Sequence, residues 1–384
     1  PKNGSLRAIK HTRPISVTNA DNRIIAQAVV TAITPCLYDL LDWAQKGFIS
    51  KRVFEDHIRK LNEDFYSAVE DGGDNFFVLF MDTAKAFDSV DHDFIMLSLK
   101  RVGLPRWVIK LVQGLLHEVK VKPAFKGAKD VWISILRGVK QGCPLSPLLF
   151  VICYDVLLSK IAKIKGATPY ACADDLAVAT KDSSLLWKVM ALVNDFRKAS
   201  GLGVNEDKTV ILPAQETDLA ADVARCPWPM VKIASKYKYL GIFFGRDVTA
   251  HDIYEIAISK LVDRARKYAS TFRSLSHAHR VLAYNVFIIT IVSYLVKFFL
   301  LPYTERALDG AEGIIQQAAR KLVIRSETAY KYIHLISPRS ITSPCPPLRD
   351  AWAISISTLA AQADLSDWNG LAIVTPDERW TNSM

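Results

Sequence analysis

Asp174 and Asp175 stand side by side between two short apolar runs, in Tyr170-Ala171-Cys172-Ala173-Asp174-Asp175-Leu176-Ala177-Val178-Ala179-Thr180. Adjacent like charges in apolar surroundings repel and cost desolvation unless cations neutralise them. Pro169 precedes the first run and Lys181-Asp182-Ser183-Ser184 follows the second, so the spacing predicts a tight β-hairpin with both aspartates at its tip. Asp-Asp is also an ordinary turn dipeptide, and this stretch alone supports a plain turn and a metal site equally. A third carboxylate shifts that balance. Phe76-Phe77-Val78-Leu79-Phe80-Met81 is an unbroken apolar run that ends in Asp82 and Thr83, as expected of a strand buried on both faces. A carboxylate at the end of a central strand, beside a hairpin bearing two more, can hold a pair of Mg²⁺ ions, with Mn²⁺ as a possible substitute. Two such ions roughly 3.5–4 Å apart clamp the attacking and leaving oxygens of an in-line phosphoryl displacement. Hard cations take oxygen ligands, which accounts for carboxylates in place of His or Cys.

Three blocks follow one another along the chain: Asp82 with Phe87-Asp88, then Arg137-Gly138-Val139-Lys140-Gln141-Gly142-Cys143-Pro144-Leu145-Ser146-Pro147, then Ala173-Asp174-Asp175. In that order they resemble the palm of a reverse transcriptase, most closely the kind encoded by non-LTR (LINE-like) retrotransposons. The resemblance covers roughly residues 1–300. It implies an α+β right-hand polymerase with fingers, a palm built on an antiparallel sheet, and a helical thumb. The implied activity is RNA-directed DNA polymerisation for retrotransposition, with an RNA template, a DNA primer and dNTPs as partners.

By the same resemblance Asp82, Thr83, Asp174 and Asp175 hold the metal ions, and Phe87 is the bulky group that excludes a 2′-hydroxyl. Gln141 and Gly142 line the nucleotide pocket. Lys208, within Gly201-Leu202-Gly203-Val204-Asn205-Glu206-Asp207-Lys208-Thr209, protonates the leaving pyrophosphate. Tyr239, Leu240 and Gly241 form the primer grip, and Arg13 and Arg23 are finger side chains on the triphosphate, a role that suits the planar guanidinium. Plainer readings stand beside these: Phe87 as core, Lys208 as an exposed turn lysine, the basic N-terminal stretch as a solvated strand. The residue two before Asp174, aromatic in that family, is Cys172, whose smaller side chain would touch a primer terminus less. An intron maturase-type reverse transcriptase, an RNA-templated RNA polymerase, and a decayed or domesticated element that only binds RNA are the alternatives. No endonuclease, ribonuclease H block or zinc knuckle is recognisable in these residues.

Several elements must position those side chains. Arg13-Pro14-Ile15-Ser16-Val17 reads as a short strand, followed by a helix capped near Asn19 or Asp21. Gln45-Lys46-Gly47-Phe48-Ile49-Ser50-Lys51-Arg52 resembles a second finger block. Val53, Ile58, Leu61, Phe65 and Ala68 make an imperfect helical stripe, and Asp71-Gly72-Gly73-Asp74-Asn75 is a turn. Asp88 or Ser89 can cap a helix running to about Val102, closed by Gly103. Residues 104–136 read as a helix and a hairpin. Pro144 and Pro147 suit a turn and the first turn of a helix continuing through Ile152. Leu186, Val189, Leu192, Val193 and Phe196 give an amphipathic helix ended by Ser200-Gly201, and residues 236–245 read as two strands turning near Gly241. The expected domains are fingers over 1–74, palm over 75–247 with a fingers insertion near 104–136, thumb over 248–335, and a linker with a C-terminal segment of unknown role over 336–384.

At 384 residues the chain exceeds one typical core. Half of it is hydrophobic, which excludes a disordered chain. The net charge of +10 suits a polyanionic partner. From Lys260 through Arg325 there are eleven Lys or Arg against four Asp or Glu; the cluster Arg264, Arg266, Lys267, Arg273 and Arg280 fits contacts to duplex phosphates, or a merely solvated face. Six cysteines without Cys-x-x-Cys spacing read as buried apolar residues in a reducing compartment. Val281–Leu301 is apolar but interrupted by Asn285, Ser293 and Lys297, so a buried helix is expected and no membrane partner. A signal peptide is not expected, and an intracellular location follows, nucleus and cytoplasm in a eukaryote. The start at Pro1 suggests a piece of a larger polyprotein.

Overall fold

A computed structural model describes residues 15–71, 75–123, 131–217 and 230–275, with a few further positions between and after them. Arg13, Arg280, about half of Val281–Leu301 and the segment 336–384 fall outside. The chain divides into two compact units, Pro1–Asp247 and Val248–Met384.

The first unit is built on β1 (Phe77–Ala84), the strand expected from the apolar run, which continues past Asp82. It pairs antiparallel with β5 (Asp175–Thr180) on one side and β7 (Val210–Pro213) on the other; β4 (Ala167–Cys172) lies outside β5. The two-residue β6 (Gly203–Val204) adds to the end of β1, and β8 (Lys232–Ile233) pairs with β7 as the sheet's parallel exception. Because side chains alternate across a strand, β1 serves two layers. Phe77, Leu79 and Met81 enter the main core with Leu176 and Val178, their neighbours on β5. Against that face pack α4 (His92–Arg101), α6 (Ser146–Ile161) and α7 (Ser183–Ser200), contributing Ile95 and Leu99, Phe150 and Tyr154, and Val189 and Phe196.

Phe80 and Asp82 project from the opposite face. There Phe80 stacks on Tyr237 at 4.6 Å between ring centroids and meets Tyr239 and Phe244. Those rings belong to a hairpin of β9 (Lys236–Tyr239) and β10 (Ile242–Gly245), with Leu240 and Gly241 at its turn in the left-handed region. On β5 the residues paired with Phe80 and Val78 are Ala177 and Ala179, small enough to leave room for the rings.

The surrounding helices follow the sequence with some corrections. Residues 15–19 form no strand; Ser16 N–H donates to the Gln141 carbonyl at 2.7 Å, and α1 (Ala20–Leu40) begins without a side-chain cap from Asn19. Among the described residues α1 is the one helix long and apolar enough to cross a membrane, yet its stripe Ala26, Val29, Ile33 and Leu37 packs in the core. In α2 (Glu55–Asp71), Ile58, Leu61, Phe65 and Ala68 are buried while Val53, ahead of the helix, is exposed. The expected helix from Asp88 is two: α3 (Ala86–Ser89), then α4, whose cap is Asp91, accepting from the backbone N–H of Asp93 and Phe94. α5 (Arg106–Leu116) and the small ribbon β2 (Lys120–Val121) with β3 (Ile133–Ser134) occupy the 104–136 region. Asp182 caps α7 and Gly201 ends it in the left-handed region. Of the cysteines described, Cys153 is fully buried but Cys36 is exposed, so burial does not account for all of them.

In the second unit, α8 (Ala250–Ser274) buries Tyr254, Ala257, Leu261 and Ala265 on one stripe and exposes Arg264, Arg266 and Lys267. Arg264 Nη1 donates to the Phe287 carbonyl at 3.1 Å.

Candidate active site

The antiparallel register of β1 and β5 sets Asp82 directly opposite Asp175, and the next pairing outward sets Asp175 opposite Cys172. Residues paired in this way present their side chains on the same face, with Cβ atoms roughly 4.5–5.5 Å apart. Asp174 is the second residue of the β4–β5 turn, after Ala173 at φ +57°. The turn is tied to β1 by Thr83, whose hydroxyl donates to the Asp174 carbonyl at 3.0 Å and meets the buried Tyr154 hydroxyl at 3.1 Å. Burial pushes the Tyr154 phenol up, so it stays protonated beside the three acids. Thr83 therefore acts on the turn through its hydroxyl.

Lys208, on a short 3₁₀ turn (Glu206–Lys208), places Nζ 2.6 Å from Asp82 Oδ2. The turn is hung on the same strand, since Asn205 N–H donates to the Asp82 carbonyl at 2.8 Å. An ammonium on Asp82 shows that this carboxylate is positioned to take a cation. Among the described residues no group of three or more His, Cys, Asp or Glu lies close enough to hold a metal ion. The donor set, all oxygen and partly open to solvent, fits a hard divalent cation, with Lys208 as its competitor at Asp82.

Phe87, in α3, stacks on Phe150 at 5.2 Å and meets Phe48 edge-on at 6.4 Å. The Phe87 carbonyl accepts from Val139 N–H at 2.6 Å, so the Arg137–Pro147 block lies directly against it. Gln141 Nε2 donates to Asp88 Oδ1 at 3.2 Å, giving Asp88 a contact in place of the expected cap role. Gly142, at φ +112°, passes so near the Ser16 carbonyl that a Cβ would stand 2.5 Å from it. Arg23 is exposed on the first turn of α1. Tyr239 is buried beneath the hairpin tip and donates from its hydroxyl to the Tyr170 carbonyl at 3.0 Å, which anchors β9 to the strand leading into Asp174. The thiol of Cys172 is pushed up to about 11, by burial first and then by Asp175 and Asp174, so it is neutral near pH 7.

Reading the sequence missed the residues behind the hairpin. Gln45 is fully buried and bonds to Ala173, 128 positions away. Next to it His57 lies between Trp43 and Tyr170, and Asp155, buried in α6, accepts from Asp42 N–H at 2.6 Å and from Arg101 at 2.8 Å. A Gln two residues before a Gly was the available signal, but no local pattern says which strand it meets.

A sheet with carboxylates in register across its central strands, backed by helices and faced by an aromatic hairpin, is the palm of a right-hand polymerase. The chain matches the model of the family described as "Reverse transcriptase (RNA-dependent DNA polymerase)" over residues 1–244, and it belongs to that family, within the non-LTR retrotransposon kind. Members of the family generally use divalent metal ions. A Pol polyprotein of the type-1 retrotransposable element R2 of Popillia japonica is 29% identical over 269 residues, 64% of this chain and 37% of the relative. An uncharacterised 149 kDa protein of transposon TX1 from Xenopus laevis is 24% identical over 306 residues, 77% of this chain and 23% of the relative. The R2DM polyprotein of Drosophila melanogaster is 28% identical, over 64% of this chain and 24% of the relative. The chain thus spans well under half the length of these curated relatives. Among solved structures, a telomerase from Candida tropicalis with a fragment of telomeric RNA aligns over 94% of this chain and 56% of its own, at 14% identity and a TM-score of 0.46. A likeness that distant carries no argument about function.

Proposed function

We propose that the chain is an RNA-directed DNA polymerase that extends a primer 3′-hydroxyl on an RNA template with dNTPs, as part of a retrotransposition apparatus. The observation that carries this reading is the register of Asp82 against Asp175, with Asp174 at the adjoining turn. Asp82, Asp174 and Asp175 would hold two divalent ions, Mg²⁺ by the hardness of the donors. Bound there, such ions supply charge stabilisation at the attacking and leaving oxygens. Lys208, paired with Asp82 Oδ2, would be displaced by an ion taking that oxygen and could then serve the leaving group.

The primer 3′-oxygen attacks the α-phosphorus of the dNTP in line with the bridging oxygen to the β-phosphate. A new P–O bond forms, the α–β bridge breaks, and pyrophosphate departs. The hydroxyl proton is lost to solvent, and Lys208 Nζ can give a proton to the pyrophosphate. Phe87, held by the rings of Phe150 and Phe48, supports the selection of deoxyribose by filling the space a 2′-hydroxyl would need. Arg23 serves the triphosphate. The β9–β10 hairpin, anchored through Tyr239, steadies the primer end. Primer extension on an RNA template with Mg²⁺ tests the reading: the wild type should add nucleotides and Asp174→Ala should not. Extension that survives in the variant would refute the assignment of the carboxylates.

A further inference from the structure

The active-site hairpin owes its shape to a side chain outside it. Gln45 is fully buried, a place where an amide is found only with its polar atoms paired. Its Oε1 accepts from Ala173 N–H at 2.9 Å and from Gly47 N–H at 2.8 Å, and its Nε2 donates to the Ala173 carbonyl at 3.2 Å. Ala173 holds φ +57° immediately before Asp174, a conformation that an alanine does not favour by itself and that surrounding contacts must impose. One amide group thus pairs with both backbone polar groups of that residue, as a neighbouring strand would.

Gln45 is itself fixed from several sides. Its carbonyl accepts from Arg52 Nη1 at 2.9 Å, and the Ala44 carbonyl takes the ring nitrogen of His57 at 2.8 Å. Lys46 N–H donates to the Ala171 carbonyl at 2.9 Å and Ala171 N–H to the Ala44 carbonyl at 2.8 Å, so the segment runs beside β4. At Gly47 a Cβ would stand 2.3 Å from Ala173 N, and only glycine lets the segment come this near.

We propose that Gln45 is a positioning residue, whose buried amide holds the Ala173 turn so that Asp174 is presented beside Asp82 and Asp175. It touches neither substrate nor reacting atoms, and the proposal rests on the nucleotidyl-transfer reading of those carboxylates.

Two variants of the full chain test it. Gln45→Met keeps the length but leaves Ala173 and Gly47 without their partners. It should lower kcat and weaken Mn²⁺ binding, titrated calorimetrically without nucleotide, each by about 10–100-fold, the range for loss of a group that orients a ligand. The KM for dNTP should stay near wild type, and exchange of the Ala173 amide should accelerate. Gln45→Glu can restore the donor to the Ala173 carbonyl only when its carboxyl is protonated. Its activity relative to wild type should therefore rise as pH falls. The titratable neighbours Lys46, Arg52, His57, Cys172, Asp174 and Asp175 are common to both proteins and largely cancel in that ratio. Wild-type kcat and Mn²⁺ affinity in Gln45→Met would overturn the proposal, as would a Gln45→Glu ratio flat with pH. If Gln45→Met fails to fold, the Gln45→Glu ratio decides. Failure of the wild type to extend any primer would sink the polymerase reading alone, while Mn²⁺ binding and amide exchange would still judge Gln45.

Discussion

At Asp82, a carboxylate that ends an apolar strand is met by an ammonium 126 residues further along, 2.6 Å away. The pair is partly solvated, with side-chain exposures of 29% and 53%, so its worth to stability is small and its meaning lies in chemistry. Lys208→Met is expected to lower the single-turnover rate of nucleotide addition by about 10²–10⁴-fold, the range for loss of a positioned acid. A rate within threefold of wild type would return Lys208 to the status of a surface lysine. Phe87→Ala opens space where the ring now stacks on Phe150, and rNTP addition relative to dNTP should rise by at least about tenfold, a discrimination that pocket shape can supply. Steady-state incorporation of each nucleotide measures it. At this scale the meeting of Asp82 with the Asp174-Asp175 hairpin was legible because charge at the end of an apolar run is a local signal, whereas Phe87 was singled out by resemblance alone. Gln45 was not legible, since its partner is distant in sequence.

The elements show where local pattern suffices and where it stops. The β1 run identified a strand buried on both faces, but only pairing revealed that Met81 joins the helical layer while Phe80 carries the aromatic hairpin. The cap of α4 was misplaced because Asp88, Ser89 and Asp91 are all good capping types; the chain chose Asp91 after one short turn of helix. The segment that braces β4 supplies two predictions. Gly47→Ala drives a Cβ against Ala173 N and should destabilise the first unit by about 1–3 kcal/mol, read from denaturant midpoints. His57, buried between Trp43 and Tyr170, has its pKa lowered to about 4, by desolvation first. The unfolded chain takes up a proton near the ordinary value of 6.5 while the folded chain does not. Stability from this group is thus whole above that value and is lost as pH falls towards 4, by about 1.4 kcal/mol per unit at most and about 3 kcal/mol in all. Unfolding of wild type should be steeper in pH over that window than unfolding of His57→Gln, and equal slopes would contradict the burial of a neutral imidazole.

Across the whole molecule the net charge of +10 and the exposed Arg266 and Lys267 of α8 fit a phosphate backbone as partner. Replacing both with Ala should weaken binding of an RNA–DNA duplex and lower the slope of log affinity against log salt by about 1–2, without a change in sequence preference. An unchanged slope would leave α8 a solvated face. The proposed nucleotidyl transfer depends on Asp82 and Asp175 serving one reaction from facing positions on β1 and β5. A double-mutant cycle on single-nucleotide addition tests that most directly. If they act as a unit, Asp82→Asn and Asp175→Asn each cost about 10³-fold or more, and the double variant loses little beyond the worse single one. Losses that simply multiply, or a double variant that still adds nucleotides at the wild-type rate, would contradict it.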